Sequence, residues 1–62
     1  MTVSNLHELG LITDNTEIFI RDEYLKLIAH GSWYEDEILE YSNTEVESFS
    51  WQDDDKVFID IE

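Results

Sequence analysis

A chain of 62 residues without cysteine forms at most one small domain, 1–62, and such a domain hides only about 60% of the surface its unfolded form exposes, with no disulfide framework or cysteine-based zinc site to help. Sixteen carboxylates against three basic residues leave a formal charge of −13, which argues against direct binding to nucleic acid or an anionic membrane surface and points to cationic partners. With 42% hydrophobic residues and eight aromatics, the chain is too apolar for a disordered acidic tail.

In chain order, Ser4 is placed to cap a first helical turn carrying Leu6 and Leu9 on one side, with Gly10 ending it in the left-handed conformation. Thr13-Asp14-Asn15 is turn chemistry. From Thr16 the period becomes two, and Ile18 and Ile20 alternate with Glu17, Phe19 and Arg21 in a first strand. A turn at Asp22-Glu23 leads to a second strand, Tyr24 to His30, with Leu25, Leu27 and Ala29 on one face, pairing antiparallel with the first. Gly31 breaks the sheet. Ser32 followed by Glu35 has capping-box spacing and predicts a helix through Tyr41, with Tyr34, Ile38 and Tyr41 inward and Glu35, Asp36, Glu37 and Glu40 outward. Acids in its first turn also suit the positive end of the helix dipole, so part of this cluster has a structural reason to exist. Asn43 is its expected stop. Thr44 to Trp51 is strand-like, but Val46 shares parity with neither Phe49 nor Trp51, and a bulge near Glu47 or Ser48 would turn all three toward the core. Gln52 to Asp55 makes a turn into a last strand, with Val57, Ile59 and Ile61 inward and Phe58 and Asp60 outward. The expected fold is α+β, in α-β-β-α-β-β order, with a four-stranded antiparallel sheet and one or two short helices packed on it.

These residues carry a resemblance. Leu6 to Leu9, Thr16 to Ile20, Gly31, Glu45 to Ser48 and Val57 to Ile61 resemble the small acidic accessory proteins of phages and prophages of Gram-positive bacteria. Its motifs are structural and transfer no catalytic residue. What the resemblance implies is a phage context, in which some members inhibit host defence nucleases, anti-CRISPR proteins among them.

Two constellations could carry function. The first is the acidic surface of Glu35, Asp36, Glu37, Glu40, Glu45, Glu47, Asp53, Asp54 and Asp55. Carboxylates one helical turn apart, about 5.4 Å, or on alternate strand residues, about 6.6 Å, imitate successive phosphates and can pair with Arg and Lys in a nucleic-acid groove. The bland reading is a solubilising surface. The second is the aromatic set, from which Trp33 at the helix start and Phe19 among charged neighbours are expected to be partly exposed, Trp33 serving as a binding hot spot. Core or rim packing is the default for both.

No metal or cofactor is expected, because Asp53-Asp54-Asp55 lacks the alternating ligands, glycine and terminal glutamate of a calcium loop. His7 and His30 are isolated, and Ser32 beside His30 has no orienting third group, so no enzyme is expected. No apolar run nears the roughly 20 residues that span a bilayer and no signal-peptide pattern is visible, so the expected location is the cytoplasm of a bacterial host. The function expected is a monomeric or weakly dimeric nucleic-acid mimic that blocks a basic nucleic-acid-binding protein, a CRISPR effector nuclease foremost. Its rival is an accessory or structural module, self-associating through an open sheet edge such as strand one or strand four.

Overall fold

Alternating β-branched residues mark the two central strands of this chain, Ile18 and Ile20 in one and Val57, Ile59 and Ile61 in the other. The computed structural model describes residues 1–61 and contains β1 (Glu17–Arg21), β2 (Leu27–Gly31), β3 (Val46–Asp53) and β4 (Lys56–Ile61), with α1 (Val3–Glu8) ahead of β1 and α2 (Asp36–Leu39) between β2 and β3. β1 pairs antiparallel with β2, and β3 with β4. The sheet as a whole is mixed, however, which corrects the expectation of a purely antiparallel one. β1 and β4 run parallel side by side, Glu17 opposite Lys56 and Ile20 opposite Ile59, in the order β2-β1-β4-β3. Burial gives the reason: Ile18, Ile20, Val57 and Ile59 are all fully buried, and two strands this apolar reach that state only at the sheet centre. The open edges are therefore β2 and β3, which corrects the expectation of an open edge at strand one or strand four, because both are interior.

The core lies on one face of the sheet, where Val3 and Leu6 of α1, Ile12, Trp33 and Ile38 of α2 cover the central strands. Thr2, not Ser4, caps α1: its side chain accepts from the Asn5 amide while the Asn5 side chain accepts from the Thr2 amide. The earlier start swings Leu9 to the C-cap, where it is exposed beside buried Leu6. Gly10, at φ 76°, ends the helix as the spacing predicts. Its amide bonds the His7 carbonyl while the Leu11 amide bonds that of Leu6, the double closure of a Schellman motif.

Between β1 and β2 the turn is longer than Asp22-Glu23. Asp22 Oδ1 accepts from the amides of Tyr24 and Lys26, and the Asp22 amide bonds the Lys26 carbonyl. The second strand thus begins at Leu27, and of the three residues expected inward only Ala29 is buried; Leu25 and Leu27 are exposed. Leu25 holds φ 61°. A left-handed non-glycine residue costs about 1–2 kcal/mol, partly offset by the extra unfolded-state entropy of a glycine, so Leu25→Gly should raise stability by about 0.5–1 kcal/mol. A urea midpoint that stays put or falls would show that Leu25 packing outweighs its backbone strain.

The second helix is shorter than its capping pattern predicts. Ser32 does not cap it; the N-cap is Glu35, in extended backbone and without a side-chain bond. The Glu35 amide donates to the Ser32 carbonyl instead, making a turn. Because residues 32–35 are not helical, the inward phase shifts by one, placing Trp33 in the core and Tyr34 at the surface, the reverse of the expectation. Ile38 is buried as predicted, Tyr41 is half-buried against the core, and the helix stops before Asn43.

In β3 the register shifts between Val46 and Ser48, which is the bulge that the parity conflict calls for. Phe49 and Trp51 then stand opposite Ile59 and Val57, on the core face of the sheet. Yet they stay 36% and 44% exposed, because the helical cover does not reach the β3 edge.

Candidate functional site

All nine predicted carboxylates are exposed. They do not form one array. Glu35, Asp36, Glu37 and Glu40 sit on and beside α2, which packs against β2. Glu40 donates its amide to the Asp36 carbonyl, one helical turn apart as predicted. Glu45 and Glu47 lie where β3 starts, beside the Thr2 bridge to Glu45. Asp53 at the end of β3, with Asp54 and Asp55 in the β3–β4 turn, lies at the opposite end, about 20 Å away at six residues of strand rise. In a molecule whose longest dimension is 26 Å, those two groups occupy opposite ends.

Tertiary pairing adds one acid that sequence reasoning left out. The Glu17 amide donates to the Asp55 carbonyl at 2.6 Å, bringing an exposed carboxylate from β1 to the turn of the other hairpin. Glu35 belongs to the same end of the sheet, since it packs against Gly31, which faces Ile18 across the ladder. From β3 to β2 is three strand spacings, about 14 Å, so the two acidic groups flank that end.

Ion pairing inside the protein leaves this surface almost untouched. Among the described residues, the pairs are Met1 ammonium to Glu45 at 2.8 Å, His7 Nε2 to Asp14 at 3.0 Å and Arg21 to Asp60 at 2.7 Å. Of the nine, only Glu45 has a partner. Arg21 is committed elsewhere: Nε and Nη2 grip both Asp60 oxygens, and its guanidinium lies 4.6 Å from the Phe58 ring centroid.

Trp33 is the clear correction. It is buried, with its indole stacked on His7 at 4.4 Å and 8° between planes, and cannot serve as a surface anchor. Phe19 is half-buried on the far sheet face, against His30 at 5.9 Å and Phe58 at 5.1 Å. Tyr24 and Tyr34 are exposed beside Glu23 and Glu35, and Trp51, also exposed, lines an open cleft with Leu11, Gln52, Asp53 and Asp54. Parity against Val57 was a legible sign of its facing the core side; that nothing covers it there is a property of the assembled sheet.

No family model, curated protein or solved structure matches this chain. Among the described residues no group of three His, Asp or Glu side chains is arranged to hold a metal ion, and no helix is long and apolar enough to cross a membrane. What the site offers chemically is attraction for cations over a wide surface, and, at β3, an apolar shelf beside the turn acids.

Proposed function

We propose that this protein is a non-enzymatic acidic inhibitor that occupies the cationic nucleic-acid groove of a host defence enzyme, in a phage setting, with a CRISPR effector nuclease as its most concrete target. The observation that carries the reading is the exposed carboxylate surface left unneutralised: eight of the nine predicted acids lack an ion pair among the described residues, while Arg21 is spent on Asp60. Such a surface steers a basic partner and pairs with Arg and Lys as phosphates do. The separation of the acids into an α2 group and a β3–β4 turn group refines the mimicry. Two patches some 14 Å apart across one end of the sheet would meet separate basic clusters rather than imitate one continuous strand.

Competition decides it. In a mobility-shift assay with purified Cas9-type effectors, added protein should release target DNA, less so as salt rises, and Asp36→Lys/Glu37→Lys/Glu40→Lys should weaken release by about tenfold or more while circular dichroism shows an intact fold. DNA that stays bound at a large molar excess of wild-type protein would reject the reading.

A further inference from the structure

The strand β3 is the longest in the sheet, and β4 is its one neighbouring strand; its other side is bonded at the start, where the Val46 amide donates to the Met1 carbonyl, and from Ser48 onward no strand covers it. Which of its backbone groups are free follows from the neighbouring ladder. Asp55 directs its carbonyl to Glu17 of β1, so along β4 the odd-numbered residues bond toward β1 and the even-numbered ones toward β3. Ser48 and Ser50, opposite Asp60 and Phe58, are therefore the bonded pairs. Phe49 and Trp51, opposite Ile59 and Val57, point their amides and carbonyls off the sheet. The same two residues carry the half-exposed aromatic rings, and Leu11, itself 41% exposed, extends the shelf beneath Trp51. Open backbone bonding and an uncovered apolar surface thus coincide at one four-residue ladder, bracketed by bulges at either end.

Charge selects the occupant. β3 carries no lysine or arginine; Glu47 stands free at one end, beside the Glu45 that the Met1 ammonium holds, and Asp53 to Asp55 stand at the other. A second copy pairing here would bring those acids against their own kind, whereas a basic strand would be drawn in at both ends. The geometry points to this edge as a docking site for an extended segment of a partner protein, added as a fifth strand, with two alternate apolar side chains on Phe49 and Trp51 and a lysine or arginine at each end. It rests on the reading of the chain as a binder of basic proteins, and names the contact that binding would use.

A synthetic peptide separates the two ideas, because it needs no nuclease. The probe is Lys-Thr-Val-Thr-Val-Thr-Lys, whose symmetric pattern serves either strand direction, titrated into isotope-labelled protein and followed by amide NMR and hydrogen exchange. Binding should shift and protect the Phe49 and Trp51 amides, and Trp51→Thr, a residue suited to an exposed strand, should weaken it by about tenfold. Replacing both peptide lysines by glutamate, or both valines by proline, should abolish it. The inference is overturned if those two amides stay unprotected, if shifts gather on α2 instead, if Trp51→Thr binds as well as the parent, or if the protein alone dimerises with the same amides protected. Loss of the peptide effect with DNA release intact would remove this docking mode and leave the inhibitor reading standing.

Discussion

Trp33→Ala should abolish the cooperative thermal unfolding of this protein or lower its midpoint drastically. The indole is 7% exposed, joins the cluster of Val3, Leu6, Ile12 and Ile38, and covers the His7 ring face to face. Removing a large buried aromatic costs about 3–5 kcal/mol, while a domain of this size holds only about 3–9 kcal/mol in total. The substitution therefore consumes most of the stability available. Trp33→Phe keeps a stacking ring and should cost less than half as much. The same experiment discriminates between the two placements of this residue, since an exposed binding anchor would tolerate alanine with a change within about 0.5 kcal/mol. Near-ultraviolet circular dichroism supplies a second check: the stacked, buried indole should dominate the signal, and Trp51→Thr should leave most of it in place.

Arg21→Ala is the second large effect, and it acts through what it leaves behind. Asp60 is held by Nε and Nη2 of the Arg21 guanidinium and by the Ser48 hydroxyl at 3.2 Å, with its side chain only 16% exposed. Without Arg21 the carboxylate keeps one hydroxyl, in a molecule already at −13. Breaking a fully buried pair costs about 3–5 kcal/mol; for one that retains some solvent, a loss of about 2–3 kcal/mol is expected in urea unfolding. Arg21→Lys should recover little of it, because a lysine cannot reach both oxygens or lie flat on Phe58 as the guanidinium does. The double variant Arg21→Ala/Asp60→Ala should be more stable than Arg21→Ala alone, as no orphaned anion remains. Equal stabilities for the single and double variants would show that the pair contributes through packing on Phe58 and not through charge.

These two residues also mark where sequence reasoning reached and where it stopped. Arg21 was legible as an outward strand residue, and so was Asp60, but their meeting depends on β1 lying parallel beside β4. Trp33 was visible as an aromatic near a helix start; its direction depended on one residue of helical phase. Among the candidate site residues, exposure of the nine acids followed from their charge and, Glu40 apart, from their places in contiguous acidic runs or beside Val46, whereas their division between two ends of the sheet did not.

The sequence by itself determined both hairpins, the left-handed Gly10, the β3 bulge and the acidic surface, because each follows from residues a few positions apart: alternation, turn chemistry and the absence of counter-charges. Only the tertiary structure decided that the hairpins join through β1 and β4, that β2 and β3 are left open, that Trp33 turns in, and that Trp51 stays uncovered. Those outcomes are settled by how the whole chain hides its few apolar side chains at once. Two short helices can cover the central strands but do not reach the outermost one.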